Sequence, residues 1–255
     1  MIAVARVAFA VSCFTTIGSA PQILAAGQTE QITITSGRPL AAIALELERR
    51  HGWIVTYEDP PYEFEGDVDD VTGIVRRDFS RPNLKVLVPR AKSFTFEYGN
   101  GREEVNAARV LPTLLEEYHR TFSTVSTFRL LQTGDVFHVV PQASAGRDGN
   151  PVNRRAALNT RISIEDSERN GLDLLQEIAK AVSRGSETPI ELGTIPVNLF
   201  VGTRIRGGAR DEVARSVLLR TLSATGVRLS WRLLCQPGLR QCALNVHAVK
   251  VTGGL

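Results

Sequence analysis

The sequence predicts an α+β protein built from two tandem βαββαβ-like units with mixed sheets, and three observations carry that expectation. Residues 31–60, QITITSGRPLAAIALELERRHGWIVTYEDP, read as strand, helix and strand with clear punctuation between them. The run from Pro141 to Ala157, PQASAGRDGNPVNRRAA, has almost no large apolar residue and is full of turn formers, so 142–157 reads as a linker. Beyond that linker the chain repeats the order of elements found before it.

In the first unit, Ile32 and Ile34 alternate with Thr33 and Thr35, the period-2 pattern of a strand with one face buried. Leu40, Ile43, Ala44 and Leu47 then fall at the spacing of a helix's apolar stripe, leaving Glu46, Glu48, Arg49 and Arg50 to face water. Pro39 suits a first helical turn and Gly52 supplies a left-handed helix end. WIVTY restarts as a strand. After Pro61 the chain becomes acidic and irregular, so 60–83 reads as a surface insertion. Strands come next at LKVLVP and FTFEY, then a turn at GNGRE. A helix begins near Arg109 with Pro112 in its first turn, and the hairpin FRLLQ to VFHVVP closes on Gly134 and Asp135. The first unit spans 28–141.

The second unit spans 158–251. RISI parallels QITI, and Leu174, Leu175, Ile178 and Val182 give its first helix. PIEL and NLFVGTRI read as strands, and RGGARDEVARSVLLRTLSATG as a helix ending on Gly226. VRLSWRLL and CALNVHAVKV form the last hairpin, with Val227, Leu229, Trp231 and Leu233 on one face. Trp231 reads as core and Trp53 as core or rim, ahead of either being a ligand platform. The first unit is the longer by its acidic insertion.

Residues 1–26 carry one charge, Arg6, an apolar run from Val7 to Ile17, and small residues at Ala25, Ala26 and Gly27. They read as a signal peptide, against a buried N-terminal helix or a lipoprotein site at Cys13, which places the protein in the periplasm or outside the cell. No later run is long enough to span a bilayer, so no membrane span is expected in the mature chain. With 30 Lys and Arg against 27 Asp and Glu, the balance points to neither a nucleic-acid surface nor an acidic tail. At 255 residues the chain exceeds the usual size of one domain. Cys235 and Cys242 would stand opposite each other if Pro237 to Gln241 forms a turn. They are a disulfide of modest value, about 2 kcal/mol, or two free thiols.

The alternating strand at Ile32 and Ile34, the Pro39-Leu40 helix start, LELERRHGW, VLPTLLEEYH and the closing FHVVP make the first unit similar to the short N-terminal domain of outer-membrane secretins and TonB-dependent receptors, an STN-like fold. RISI, LDLLQEIAKAVS and ARDEVARSVLLRTLSATGVRLSW resemble it more loosely. The resemblance implies a small periplasmic module that docks partner proteins through a sheet edge or helix face, with no catalytic residues to carry over. No plug, barrel or secretin core is read beside these units, so a stand-alone adaptor or binding protein is expected rather than a receptor or pore.

Little in the sequence suggests chemistry of its own. The four histidines, His51, His119, His138 and His247, have no metal-ligand spacing, and no nucleophile elbow, P-loop or dinucleotide fingerprint occurs, so no catalytic residue, metal or cofactor is expected. His51 and His119 suit helix ends, where positive charge favours the dipole. The acidic residues Glu58, Asp59, Glu63, Glu65, Asp67, Asp69 and Asp70 could hold Ca²⁺, receive a basic partner, or simply be solvated. Arg204, Arg206, Gly207 and Gly208, read as preceding a helix whose first turn holds Asp211 and Glu212, could bind an anion or form a plain strand-to-helix turn. The function expected is an exported, non-enzymatic interaction or adaptor module of the cell envelope, its envelope partner bound by sheet-edge or helix-face contact and self-association open to it. An envelope glycan-binding or glycan-processing protein is the alternative, for which a deep pocket with two carboxylates would speak.

Overall fold

A computed structural model describes residues 29–75, 85–99, 105–122, 126–186, 188–239 and 241–250. The expected signal peptide at 1–26 with Cys13, most of the GNGRE turn, 76–83 of the insertion and position 251 lie outside the described residues.

The fold is α+β, with mixed and antiparallel sheets. Chain order runs β1 (Glu30–Ser36), α1 (Pro39–His51), β2 (Ile54–Glu58), β3 (Val68–Asp70), α2 (Thr72–Val75), β4 (Leu87–Pro89), β5 (Lys92–Tyr98), α3 (Ala107–Phe122), β6 (Thr127–Thr133), β7 (Val136–Ala145) and β8 (Pro151–Asn153). It continues with β9 (Arg161–Asn170), α4 (Gly171–Ser186), β10 (Ile190–Leu192), α5 (Val197–Gly202), β11 (Arg204–Val213), α6 (Ala214–Ser223), β12 (Leu229–Gln236) and β13 (Gln241–Ala248).

The wiring repeats. β1 pairs antiparallel with β5, and β9 with β11. β2 runs parallel to β7, which pairs antiparallel with β6; β10 runs parallel to β13, which pairs antiparallel with β12. The two three-stranded sets then join: β12 lies parallel to β2, with Arg232 opposite Tyr57 and Leu233 opposite Glu58. The result is one sheet in the order β10-β13-β12-β2-β7-β6, with β8 added to the end of β7.

Each half packs its helices on a different face of this shared sheet. Val55, Tyr57, Phe137 and Val139 join one core with Leu40, Ile43, Ala44 and Leu47 of α1 and Leu111, Leu114 and Tyr118 of α3. Leu229, Trp231, Leu233, Leu244 and Val246 join another with Leu175, Ile178 and Val182 of α4 and Val217 and Leu218 of α6. Because side chains alternate along a strand, Ile54, Thr56 and Glu58 point to the face opposite Val55 and Tyr57. Ile54 there meets Val136, Val249 and Leu219 of α6. All of β2 is therefore buried, on both faces.

Local rules account for many element ends. Pro39 opens α1, where a missing N–H costs nothing, and Gly52 ends it with φ 67° and its N–H on the Glu48 carbonyl. The expected helix near Arg109 begins at Ala107, with Asn106 Oδ1 accepting the Arg109 N–H at 3.1 Å, so Pro112 sits inside the helix and not in its first turn.

Four further expectations are corrected. NLFVG is not a strand but α5, entered from Pro196, with Phe200 fully buried. RGGARDEV is not the start of a helix: it is the second part of β11, which bulges twice against β9 and holds Asp211 at φ 53°. Val227 is exposed and precedes β12, whereas Leu229, Trp231 and Leu233 are core as expected. Residues 142–157 are not an open linker; β7 runs on to Ala145 and turns back through β8, and Ala143, Ser144, Ala145 and Ala156 are buried. Small side chains there let the turn lie close against the sheet.

Cys235 and Cys242 face each other across β12 and β13 and form a disulfide, their Cα atoms 3.9 Å apart. Its loop is short, so little unfolded-state entropy is removed. Replacing both cysteines by alanine is expected to lower stability by about 2 kcal/mol, measured by urea unfolding, with the sheet's circular dichroism unchanged.

Candidate interaction site

The line where the halves meet is built from buried charge. Three carboxylates stand on the first half. Glu48 lies on α1 at a place where its apolar stripe continues, four residues after Ala44, and is 3% exposed rather than facing water. Its Oε1 accepts the Val55 N–H at 3.0 Å, and its Oε2 meets Arg232 Nη2 at 3.0 Å and His247 Nε2 at 2.9 Å. Burial pushes the Glu48 carboxyl up, but the His247 hydrogen bond and the Arg232 charge outweigh it and hold the group below the usual carboxylate range.

Glu58 ends β2 and is 1% exposed. It pairs with Arg215 of α6, which also bonds Asn159, and it accepts the Leu158 N–H at 3.2 Å. Asp59 accepts from Arg38 Nε at 2.6 Å, the Cys235 N–H at 2.8 Å and the Tyr62 hydroxyl at 3.1 Å, while Arg38 Nη2 reaches the Cys235 carbonyl at 2.7 Å. Burial raises the Asp59 carboxyl above its ordinary value against the opposing Arg38 charge. Hydrogen bonds to backbone carbonyls complete the line: Asp59 N–H to the Leu233 carbonyl at 2.9 Å, Ser230 Oγ to the Val55 carbonyl at 3.2 Å, and Arg228 to the Gly52 carbonyl at 2.7 Å.

His138 of β7 is fully buried beside this line. Its Nδ1 meets Thr56 Oγ1 at 2.8 Å and its ring lies 5.3 Å from that of Trp231. His138 Nε2, Arg215 Nε and Trp231 Nε1 are buried without a hydrogen-bond partner. Burial, with the Arg215 charge, lowers the His138 pKa to about 3. The two histidines expected at helix ends, His51 and His119, are held by hydrogen bonds there. His119 Nε2 accepts the Phe128 N–H at 3.0 Å, and His51 Nε2 meets the Tyr98 hydroxyl at 2.9 Å while its ring stacks on Trp53 at 4.4 Å. Burial lowers both.

The acidic run therefore divides. Glu58 and Asp59 belong to the buried line, not to a loop. The rest lies on the insertion, where Glu63 meets Arg154 at 2.9 Å, Asp67 meets Lys92 at 3.7 Å, and Asp69 meets Arg90 at 2.9 Å. Asp70 accepts the Thr72 N–H at 2.9 Å, opening α2, and Glu65 starts a single 3₁₀ turn. These carboxylates are spread along separate cations, and no group of three or more metal-ligating side chains is brought together among the described residues.

Arg204, Arg206, Gly207 and Gly208 lie along β11, well before α6, so they do not form an anion cradle at a helix end. Arg206 leans toward Asp166 at 3.9 Å. Gly208 is required for another reason: a Cβ there would come within 2.7 Å of the Asp166 backbone. The bulged strands instead border an open groove of about 590 Å³ lined by Ser163, Glu165, Asp166, Arg210 and Glu212. A hydrogen bond from Arg220 holds Glu212 below the ordinary carboxylate range. No family model, curated protein or solved structure matches this chain.

Among the described residues the shared sheet ends on β6 at one side and β10 at the other. Sequence reasoning anticipated open edges but missed Glu48, Arg38, Arg215, Arg232 and His247, the groups that close the inner one. Glu48 left one signal, its place on the α1 stripe.

Removing Arg215 leaves a buried carboxylate unpaired, so Arg215→Met should destabilise by about 3 kcal/mol, whereas Glu58→Leu combined with Arg215→Met should recover most of the loss; a double-mutant cycle in urea measures both. His138 gives a pH dependence of definite sign. The unfolded chain takes up the proton near its ordinary value and the folded chain resists to about 3, so stability falls as pH drops below about 6.5. His138→Gln should remove roughly 2 kcal/mol of the stability difference between pH 7 and pH 5, read from denaturation curves at the two values.

Proposed function

We propose that this chain is an exported, non-enzymatic protein-interaction module of the cell envelope, two tandem STN-like units that bind a protein partner by adding a strand to the sheet. The observation that carries the reading is the open β6 edge, at the end of a sheet that already grows by strand addition where β12 joins β2. The Cys235–Cys242 disulfide fits an oxidising compartment. No helix among the described residues is long and apolar enough to cross a membrane.

A glycan-binding reading is favoured by one feature, the groove between β9 and β11. Glu212, held ionised by Arg220, is poorly suited to act as a proton donor there, which leaves binding ahead of processing.

Gln132 supplies the test. The Phe128 N–H turns away from β7 to His119, so by strand alternation the Gln132 N–H also points off the open edge, where proline removes no sheet bond. Capture of envelope proteins by immobilised wild type should fall at least about tenfold with Gln132→Pro, a loss of about 1.4 kcal/mol of binding. Equal capture by both proteins, together with binding on a glycan array that Asp166→Ala abolishes, would replace this reading by the second.

A further inference from the structure

The inner joint serves as a template for the outer edge. In the first half the Val55 N–H is held by Glu48, seven residues earlier, at 3.0 Å; in the second the Ile190 N–H is held by Ser183, seven residues earlier, at 2.8 Å. β2 and β10 are thereby aligned, and Tyr57 corresponds to Leu192. Tyr57 pairs with Val139, which pairs with Leu130; Leu192 pairs with Leu244, which pairs with Leu233. Leu130 of β6 thus corresponds to Leu233 of β12, and Arg129 to Arg232.

The correspondence separates the two open edges. Arg232 is buried against Glu48, whereas Arg129 is exposed and its side chain has no hydrogen bond or ion pair among the described residues. At β10 the position of Glu48 is taken by Ser183, with Arg184 next to it and Lys180 one turn earlier. A second copy laying β6 on β10 would bring Arg129 to a hydroxyl among cations. One edge keeps the guanidinium without the carboxylate, and at the other the strand's own carboxylate, Glu191, alternates to the face opposite Leu192 and so away from an Arg129 laid beside it.

Resting on the strand-addition reading above, we propose that β6 takes, as a parallel strand, an extended acidic segment of a different protein, whose carboxylate pairs with Arg129 as Glu48 does with Arg232. His119 occupies the Phe128 N–H, so the segment pairs with the backbone of Leu130 and Gln132, and the side chain opposite Arg129 selects it.

The probe is a fluorescein-labelled peptide of residues 52–60 with Tyr57→Glu, GWIVTEEDP, and its neutral counterpart GWIVTQQNP, titrated into the full chain by anisotropy. The acidic peptide should bind at least about tenfold more tightly than the neutral one at low salt, with amide shifts centred on Leu130 and Gln132. Arg129→Glu, whose side chain is exposed and unpaired, should reverse the preference without changing the melting temperature. Equal binding of the two peptides, no binding at millimolar concentration, or shifts centred on β10 would each overturn the proposal. So would a dimer by analytical ultracentrifugation that Gln132→Pro dissolves, since a second copy would then be the occupant. If envelope capture depends on Gln132 but the peptides show no acidic preference, this inference fails and the strand-addition reading stands; if capture ignores Gln132, that reading itself fails.

Discussion

Three carboxylates of the first half, buried against the guanidinium groups and backbone of the second, set the terms for the rest of the molecule. A buried carboxylate left alone is expensive enough to unfold a small protein, so the burial of Glu48 and Glu58 depends on the cations the second half supplies, while Asp59 also has Arg38 of its own half. The joint between halves is thus conditional in a way an apolar joint is not. Each group is matched several times over: Glu48 by a backbone N–H, Arg232 and His247; Asp59 by Arg38, Cys235 and Tyr62. Such matching turns a desolvation penalty into register, because a shift of β12 by one residue along β2 would turn Arg232 away from Glu48.

The shared sheet explains why neither half is self-sufficient. With α1 and α3 on one face and α4 and α6 on the other, each three-stranded set leaves one face uncovered by its own helices. The other half supplies the cover: Leu219 of α6 over Ile54 and Val136, and α1 over Arg232. Two similar sets joined head to tail leave unlike ends, a β6 edge and a β10 edge, which is the geometry of a heterologous rather than a two-fold contact.

Much of the fold was legible because periodicity reports burial. The stripe of α1, the alternation of β1 and the hairpin across Gly134 and Asp135 arise from spacing alone, as does the facing of Cys235 and Cys242. The misread segments are those where a local signal was outvoted by packing. RGGARDEV has a helix-like charge pattern and two glycines, yet Gly208 is there for close approach to β9, and pairing with β9 holds the segment in a strand. NLFVG looks β-branched and apolar, but Phe200 is the residue that must be buried and a short helix places it. The charged line was nearly invisible, since a carboxylate bound for the interior has the same letter as one bound for solvent. Glu58 and Asp59 were grouped with the insertion because they adjoin it in sequence, although their partners Arg215 and Cys235 lie far along the chain.

The order in which a chain is made gives these acids a second consequence. β2 leaves the ribosome long before β12 exists, and in that interval its edge is bare. An uncharged strand of Ile, Val, Thr and Tyr would then be a template for the wrong neighbour. Here the same edge carries Glu48 and Glu58, whose charges stay in water until their cations arrive, which disfavours pairing with another nascent copy. The groups that lock the finished molecule are, before it is finished, what keeps its unfinished edge from closing on a stranger.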